Sequence, residues 1–433
     1  MTVDHPVADP DLLDELVGAE IECEVGPVAH GGHCVARVDG RVVFVRHALP
    51  GERVRAVVTE VRRGYLRADA VTVLAASADR VAPPCPYAGP GRCGGCDFQH
   101  ATLAAQRALK TSVVREQLQR LGGLTPDQVD ALGVAVVPLD DSSSEGFGWR
   151  TRVQYTVDAA GRVGFTLHRS HEVIPVDRCL IASPAVQSAT VDGIPVTSRP
   201  WPDADRVEVV AATQAAGGGS AGGGGAPAAS VVVERGRERR VVAGPATVRE
   251  HVGGREWELA AGGFWQVHPA AAATFADTVV ELLDPRVGER AWDLYGGAGL
   301  FAAALAPRLG ATGRLTVVES DPRAVAVGRR ALDDLWNVRF VHAPVERALR
   351  DRRWTSVDLV VLDPPRAGAG RQVVDAIVAR SPRAVAYVAC DPAALARDVR
   401  TFTERGWQLA ALRAFDAFPQ THHVECVALL TPR

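Results

Sequence analysis

A thiol and a carboxylate near the C-terminus have the residue types and surroundings of a catalytic pair. Cys390 closes the apolar run 384–389 and precedes Asp391 and Pro392, so we expect it at the end of a buried strand. Proteins with an α/β fold place their chemistry at such strand ends. Glu425 lies in a second strand-like run further along the chain. Cys390 as nucleophile and Glu425 as base would together give a covalent mechanism.

Each of these residues also has a simpler interpretation, so the elements around them must decide. A lone buried cysteine behaves as a small apolar side chain, and a lone glutamate as a solvated charge. From about Gly263 onward, helical and strand-like patterns alternate, which predicts an α/β fold with a doubly wound, mostly parallel, Rossmann-like sheet. The strand candidates are Ala291–Leu294, Arg314–Glu319, Leu359–Asp363 and Ala384–Cys390.

A glycine-rich turn in this region predicts a nucleotide-type cofactor. Gly296, Gly297 and Gly299 follow a strand and open a helix, where the backbone can approach a ligand closely. Glu319 ends the next strand and can accept both ribose hydroxyls, a pattern that NAD and S-adenosylmethionine (SAM) enzymes share. The turn Asp363-Pro364-Pro365 resembles the fourth motif of class I SAM methyltransferases, and this favours SAM over NAD.

The N-terminal part of the chain predicts a small barrel. Five short β-rich runs between residues 17 and 76 are typical of an OB-type fold. The phrase 44–52 resembles a TRAM domain, an RNA-binding barrel of RNA-modifying enzymes. An RNA phosphate could be bound by arginines of the barrel and by basic residues of the next region: Arg37, Arg41, Arg46, Arg62, Arg63 and Arg67, then Arg150, Arg152, His168 and Arg169. A solvated basic surface is the alternative.

Four cysteines have the organisation of a metal site. Cys85, Cys93 and Cys96 are separated by seven and two residues, and Cys179 is a distant fourth. Residues 1–20 carry acids and prolines rather than a basic patch and an apolar core, so we expect no secretion signal. The eight cysteines then point to metal, cluster or catalytic roles rather than disulfides. Four thiolates can hold zinc or a [4Fe–4S] cluster, and the spacing alone does not distinguish the two.

Taken together, these motifs resemble the RNA uracil-5 methyltransferase family of the TrmA/RumA type, over nearly the whole chain. The resemblance implies that Cys390 is the nucleophile and Glu425 the base. It also implies that SAM is bound by Gln266, Tyr295, Glu319 and Asp363. It favours a [4Fe–4S] cluster on Cys85, Cys93, Cys96 and Cys179, although the first gap is two residues longer than in the family. The expected product is 5-methyluridine, in 23S ribosomal RNA rather than tRNA.

Two departures from the family pattern and several alternatives accompany this expectation. The family often has Cys or Ser in place of Gly296, and Asn in place of Asp391. An acid next to the thiol is expected to raise its pKa and slow attack. The main alternative is a nucleic-acid amino-group methyltransferase without a covalent step, although such enzymes usually have an aromatic residue where Arg366 stands. A non-catalytic RNA-binding protein would fail to bind SAM, and a radical-SAM enzyme does not fit the cysteine spacing.

Length and charge complete the prediction. The chain has 433 residues and a net charge of −3, which predicts two to three domains and leaves nucleic-acid binding to local patches. We expect a cytoplasmic monomer without a membrane span. The predicted segments are a flexible tail 1–16, a TRAM-like barrel 17–76, an RNA-binding domain with the iron–sulfur site at 77–262, and a methyltransferase domain 263–433. The predicted RNA-binding domain includes a flexible glycine-rich loop at 215–229.

Overall fold

The computed structural model describes residues 16–139, 145–212, 229–351, 354 and 356–433. Nearly all of the predicted tail 1–16 and loop 215–229 lies outside these residues. The chain divides into two compact units. In the described residues, the barrel unit comprises 16–113, Phe165–Ile174 and Pro419–His422, and the other unit comprises the remainder. The predicted boundaries at 76/77 and 262/263 stay predictions.

Five antiparallel and parallel strands form the N-terminal sheet, as the sequence predicts. They are β1 Glu20–Glu24, β2 Cys34–Val38, β3 Arg41–Arg46, β4 Arg53–Arg62 and β5 Tyr65–Ala75. Their order is β1-β4-β5-β3-β2, and β3 pairs with β5 in parallel. Alternate residues of these strands, such as Val43, Val45, Val54 and Ala56, fill one core. The arrangement is a five-stranded OB-type barrel.

The middle of the chain is rich in β-structure, as predicted. Its helices are α1 Leu103–Arg120, α2 Pro126–Ala131 and α3 Pro184–Gln187. Its strands are β6 Val136–Pro138, β7 Arg152–Val157, β8 Val163–Thr166, β9 Val173–Pro175, β10 Thr190–Val191, β11 Ile194–Pro195, β12 Arg206–Val210, β13 Ser230–Arg235, β14 Glu238–Ala243, β15 Thr247–Val252 and β16 Arg255–Ala260. A six-stranded sheet has the order β14-β13-β12-β7-β8-β9, and β10-β11 and β15-β16 are separate hairpins.

The C-terminal part has the predicted alternation of helices and strands. The helices are α4 Ala271–Leu283, α5 Leu300–Leu309, α6 Pro322–Ala331, α7 Val345–Leu349, α8 Gly370–Val378 and α9 Pro392–Thr403. The strands are β17 Arg290–Leu294, β18 Arg314–Glu319, β19 Val338–His342, β20 Leu359–Leu362, β21 Ala384–Ala389, β22 Trp407–Asp416 and β23 Glu425–Pro432.

These strands form one eight-stranded sheet that is Rossmann-like. Its order is β19-β18-β17-β20-β21-β23-β22-β6, and the first five strands are parallel. Strand β23 is inserted antiparallel between β21 and β22. Every residue of β20 and β21 is buried, because the two faces of the sheet are packed in separate apolar cores. The fold class predicted from the sequence is confirmed.

One further result concerns membranes. No helix in the described part of the chain is long and apolar enough to cross a bilayer.

Candidate active site

The glycine turn after β17 and the carboxylate after β18 are joined by a hydrogen bond. The backbone N–H of Gly297 donates to Oε2 of Glu319 at 2.9 Å. Oε1 of the same carboxylate accepts from the N–H of Asp321 at 2.6 Å. Tyr295 adopts a left-handed backbone, φ 58°, at the start of this turn, and its hydroxyl donates to Oε1 of Glu346 at 3.1 Å. Glu319 and Tyr295, both predicted from the sequence, therefore lie beside the glycine turn.

The turn leaves no room for a side chain at Gly296. A Cβ placed there would lie 2.5 Å from Cγ1 of Val317 and 2.8 Å from Cγ of Asp293. Asp293 is fully buried beneath the turn, and its Oδ2 accepts from the N–H of Ala302 at 3.0 Å. Burial is the main reason why its pKa rises to about 8. In this chain the residue at 296 must be glycine because Val317 and Asp293 fill the space that a Cys or Ser would need.

Asp363 ends β20 at the same edge of the sheet. Its backbone N–H donates to the carbonyl of Leu294 at 3.3 Å, so it lies next to the glycine turn. Burial raises the pKa of its carboxyl to about 7. Arg366, three residues later, is exposed.

The loop after Asp363 is held from below by a buried acid. Asp398 on α9 accepts from the backbone N–H groups of Ala369 at 2.8 Å and Gly370 at 3.2 Å, and from the hydroxyl of Tyr387 at 2.7 Å. Gly368 has φ 91°, and a Cβ there would lie 2.8 Å from Oδ2 of Asp398. The segment carrying Arg366 is therefore anchored at both ends, by Asp363 directly after β20 and by Asp398.

Strand pairing brings the predicted nucleophile and the predicted base together. In the antiparallel pair β21–β23, Ala389 is level with Cys426. One step further along the same register, Cys390 is level with Glu425. Cys390 is half-buried and Glu425 is buried. Helix α9 and strand β22 separate the two residues along the chain. They lie side by side in the sheet because β23 pairs with β21.

The electrostatics of this edge favour the neutral form of both groups. Burial, then the carboxylates of Glu425 and Asp363, raise the pKa of the Cys390 thiol to about 11, while Arg366 lowers it. Burial, followed by Asp363, holds the pKa of Glu425 well above its ordinary value, and Arg366 again acts in the opposite direction. Arg366 is thus the charge that favours ionisation of both catalytic candidates.

The acidic neighbour of the thiol has a structural role. Asp391 is the N-cap of α9, and its Oδ1 accepts from the N–H of Ala394 at 2.7 Å. Pro392 follows at the first helical position, which is favourable for starting a helix. The carboxylates that raise the pKa of the thiol most are those of Glu425 and Asp363, which the sequence did not suggest.

Gln266 lies on the loop between β16 and α4. The loop is fixed by Thr151, whose N–H and hydroxyl both donate to the carbonyl of Val267, at 2.9 and 3.0 Å. Trp265 packs against Trp257 with ring centroids 5.2 Å apart. Gln266 itself is half-buried. Its role in cofactor binding stays a prediction.

The comparisons with known proteins agree with this geometry. Residues 14–71 match the sequence model of the TRAM domain, and residues 230–433 match that of the tRNA (uracil-5-)-methyltransferase family. A protein of Streptomyces avermitilis named "Uncharacterized RNA methyltransferase" is 51% identical, covering 96% of this chain and 99% of its own length. The chain belongs to the tRNA (uracil-5-)-methyltransferase family.

Other relatives agree with this membership. An RNA methyltransferase of Corynebacterium diphtheriae is 36% identical to this methyltransferase, over 96% of the chain and 97% of its own length. The crystal structure of Pyrococcus abyssi tRNA (uracil-54, C5)-methyltransferase, in complex with S-adenosyl-L-homocysteine, superimposes with a TM-score of 0.64 at 20% identity. It covers 94% of this chain and 99% of its own chain, which supports the fold.

The methyltransferase has a strand edge suited to a SAM-type cofactor. Three features lie there: open space above Gly297, a carboxylate at the end of the next strand, and a buried acid with one oxygen lacking a partner among the described residues. Glycines allow close approach of a ligand to the backbone, and Glu319 is in place for ribose hydroxyls. The residues present therefore fit the cofactor.

The cysteines predicted to bind metal divide between the two units of the methyltransferase. The barrel unit contains Cys85, Cys93 and Cys96, and the other unit contains Cys179. All four side chains are half-buried. The N–H of Gly95 donates to Sγ of Cys93 at 3.4 Å, a contact that stabilises a thiolate. Within the described residues, no group of three or more His, Cys, Asp or Glu side chains is arranged to hold a metal ion. The four-cysteine site stays a prediction.

The barrel unit of the methyltransferase contains a basic cleft of about 890 Å³, which we call the barrel cleft. It includes six cationic or imidazole side chains and two acidic ones: His33, Arg46, Arg62, Arg67, His168 and Arg169, then Glu60 and Asp69. Glu60 pairs with three of the arginines, namely Arg62, Arg67 and Arg169. Arg67 donates to Nε2 of His33 at 3.2 Å and lies over the rings of Phe44 and Tyr65. Burial and the neighbouring arginines lower the pKa of His33 to about 3 and that of His168 to about 4.

The prediction that Arg46 and Arg152 contact RNA is wrong, because both side chains are buried and paired with acids. Arg152 is buried, pairs with buried Glu250 at 2.5 Å and donates to the carbonyl of Gly263 at 2.8 Å. Arg46 is also buried and pairs with Asp97 at 3.3 Å. Both side chains support structure, because a buried guanidinium needs a paired acid.

Sequence reasoning missed several residues of the methyltransferase site. Asp293 stands at the end of β17 directly before the glycine turn, a position that could have drawn attention to it. Arg366 was noted only for not being aromatic. Asp398 lies in the middle of a helix with no local signal, and only the fold brings it under the loop after Asp363.

Proposed function

We propose that this chain methylates C5 of a uridine in structured RNA through a covalent adduct between Cys390 and C6 of the uracil. The observation that carries the proposal is the register of β21 and β23, which puts Cys390 level with Glu425 beside the strand edge that fits SAM. A thiol and a base at one site are what this chemistry needs.

The proposed role of Cys390 is to activate C5, because C5 of uracil is too weak a nucleophile on its own. Addition of the Cys390 thiolate forms a sulfur–C6 bond and moves the electrons of the C5–C6 double bond onto C5. SAM, when bound, supplies the electrophilic methyl group for that carbon. Glu425 then takes the proton from C5, the double bond re-forms, and the sulfur–C6 bond breaks to release Cys390.

The charges around the site support this division of labour. A carboxyl whose pKa is held well above its ordinary value, as that of Glu425 is, is a stronger base once ionised than an exposed glutamate. Arg366 favours the thiolate of Cys390 and lies on a loop held by Asp398. We propose that Asp363 orients the uracil or the methyl donor at the same edge.

The proposed substrate is ribosomal RNA of the 23S type in preference to tRNA. The combination of a TRAM domain with the predicted cysteine site supports this choice through the family resemblance. The target base must leave its stack to reach Cys390, so the enzyme must grip the surrounding backbone. The barrel cleft, with Arg62, Arg67 and Arg169, has the chemistry to bind phosphates. Mapping 5-methyluridine in total RNA from cells with and without the protein tests the choice.

We also propose that Cys85, Cys93, Cys96 and Cys179 bind a [4Fe–4S] cluster, with zinc as the alternative. Anaerobic purification followed by iron, sulfide and zinc analysis tests this proposal. About four iron atoms per chain, lost in Cys93→Ser, are expected for the cluster. One zinc ion per chain would contradict it.

The covalent mechanism is tested with RNA containing 5-fluorouridine, because fluorine at C5 cannot be removed as a proton. In the presence of SAM, the wild-type enzyme should form a complex with this RNA that survives denaturing electrophoresis. Cys390→Ala should form none, whereas Cys23→Ala, at a buried barrel cysteine, should behave as wild type.

Two outcomes would overturn the mechanism: no complex with the wild type, or a complex that persists in Cys390→Ala. Nucleoside analysis of the natural RNA product provides the second arm of the test. Methyl groups on an amino group of adenine or guanine would favour the non-covalent alternative.

A further inference from the structure

A four-residue segment just before Glu425 is held by an unusually dense set of hydrogen bonds within the barrel unit. The segment is Pro419–His422. Gln420 and buried Gln106 on α1 exchange two bonds: Nε2 of Gln106 donates to Oε1 of Gln420 at 2.9 Å, and the N–H of Gln420 donates to Oε1 of Gln106 at 2.8 Å. Gln106 also donates to the carbonyls of Phe98 and Ala101, so its own amide cannot rotate freely.

The same segment is bound by the residue that follows Cys96. The N–H groups of Asp97 and Phe98 both donate to the carbonyl of Gln420, each at 3.0 Å. Oδ2 of Asp97 accepts from the N–H of His422 at 3.1 Å and from its Nδ1 at 2.6 Å. Arg46 donates to the other oxygen at 3.3 Å. The side chains of Asp97 and Gln106 together with residues 419–422 are called the clasp below.

The clasp holds an unfavourable backbone conformation. Gln420 has φ 71°, in the left-handed region that residues other than glycine and asparagine rarely adopt. Such a conformation persists only where surrounding contacts determine it. A Cβ added at Gly32 would lie 2.8 Å from Cβ of His422, so the barrel also leaves His422 little freedom.

The position of the clasp in the chain gives it a consequence for catalysis. Glu425 follows His422 by three residues and is the first residue of β23. Three residues span at most about 10 Å, so the direction in which the chain leaves His422 constrains where β23 begins. A base must be placed within hydrogen-bond reach of the proton that it abstracts, which makes it sensitive to small displacements.

We propose that Asp97 and Gln106 are positioning residues for Glu425: by fixing residues 419–422 they determine where the carboxylate that removes the C5 proton stands. The inference rests on the proposed function, in which Glu425 resolves the covalent adduct. It also gives the Cys93–Cys96 loop a part in catalysis, since Asp97 continues that loop.

The test separates the two chemical steps in single-turnover experiments with uridine RNA and radiolabelled SAM. The first step is incorporation of the methyl group into RNA covalently bound to the enzyme, and the second is release of free methylated RNA. Gln106→Leu should slow release by roughly 10- to 100-fold, because a displaced base abstracts the proton poorly. It should leave methyl incorporation within about threefold of the wild type, so the methylated covalent complex should accumulate.

Rates are expressed per competent site, titrated with 5-fluorouridine RNA, so that misfolded protein does not contribute. Gln117→Leu is the matched control, since Gln117 is another buried glutamine of α1, and it should behave as wild type. His422→Ala is a second variant should Gln106→Leu fail to fold. It should also accumulate the complex, and His422→Asn, which can still donate to Asp97, should restore release.

The outcomes test the positioning role of Asp97 and Gln106 separately from the proposed role of Glu425. If Glu425→Gln itself accumulates no methylated complex, the proposed role of Glu425 fails. If Glu425→Gln accumulates it but Gln106→Leu and His422→Ala slow both steps equally, or neither step, only the positioning role is overturned.

Discussion

The strand edge that carries Cys390 and Glu425 and the barrel cleft both enclose titratable groups. The strand edge disfavours the charged form of acids, whereas the barrel cleft disfavours the charged form of bases. At the strand edge the neutralised groups are acids: the pKa of Asp363 rises to about 7, and those of Glu425 and the Cys390 thiol also rise. In the barrel cleft the neutralised groups are bases, with the pKa of His33 at about 3 and that of His168 at about 4. Burial is the first cause at every one of these residues.

The difference indicates which kind of ligand each region favours. The strand edge holds an excess of acidic groups with one opposing cation, Arg366, so its thiol is protonated at neutral pH and attack needs help from a bound partner. In the barrel cleft the imidazoles carry no charge at neutral pH, so the positive charge comes from arginines, three of which share the single carboxylate of Glu60. Bound phosphate would be favoured there by charge and by the release of counterions.

The largest expected effect comes from removing the base. Glu425→Gln should reduce multiple turnover by roughly 10²- to 10⁴-fold, the usual contribution of a general base. The substitution keeps the shape of the side chain and removes the carboxyl group that, when ionised, raises the pKa of Cys390. Adduct formation should therefore survive or accelerate while release stops. A rapid-quench assay that follows the covalent RNA complex measures both, and loss of adduct formation would contradict the proposed division of roles.

A smaller effect is expected from the cation of the strand edge. Arg366 lowers the pKa of Cys390, so Arg366→Ala should raise it and reduce the thiolate fraction at pH 8 by roughly three- to tenfold. In the free enzyme, alkylation of Cys390 by iodoacetamide should rise about tenfold per pH unit up to a pKa near 11. Mass spectrometry of the Cys390 peptide gives the rates.

Arg371→Ala is the control for this experiment, because Arg371 is exposed and pairs with Glu404. Its alkylation profile should match that of the wild type. A shift towards lower pH in Arg366→Ala would have the wrong sign and would disprove the electrostatic account of the strand edge.

The smallest effect concerns the barrel cleft. Arg67→Ala should weaken RNA binding by a few-fold and reduce the slope of log affinity against log salt by about one. Arg37→Ala removes an exposed barrel arginine outside the cleft and should change the slope less. Fluorescence anisotropy over a salt series measures both variants. Equal slopes for the two would mean that the whole barrel surface, rather than the cleft, binds the phosphates.

The sequence was sufficient where function depends on local pattern. Strand β18 was predicted at its observed bounds, and Glu319 was placed at its end, because strand periodicity and the glycine turn are both local signals. The role of Asp391 could not be foreseen in the same way. Its N-cap bond depends on where α9 begins, whereas the pKa of its neighbour depends on Glu425, which comes from a different strand.

Contacts between residues far apart in the chain explain the remaining differences. Arg152 is predicted from the sequence to be an RNA contact, but it is buried and pairs with Glu250, which lies 98 residues away in the chain. The clasp residues Asp97 and Gln420 lie far apart in the chain, and no local pattern around either of them indicates that they bond to each other. Such pairs become visible only when the fold is known.

The antiparallel placement of β23 has a consequence for how this protein can change during evolution. Side chains alternate faces along a strand, so deleting or inserting one residue within Glu425–Pro432 would shift the pairing and turn the glutamate to the opposite face of the sheet. Length changes at the turn between α9 and β22, at exposed Gly406, do not shift the pairing of β23 with β21. Natural variation in length should therefore be found in that turn and be absent from the last eight residues of the sheet.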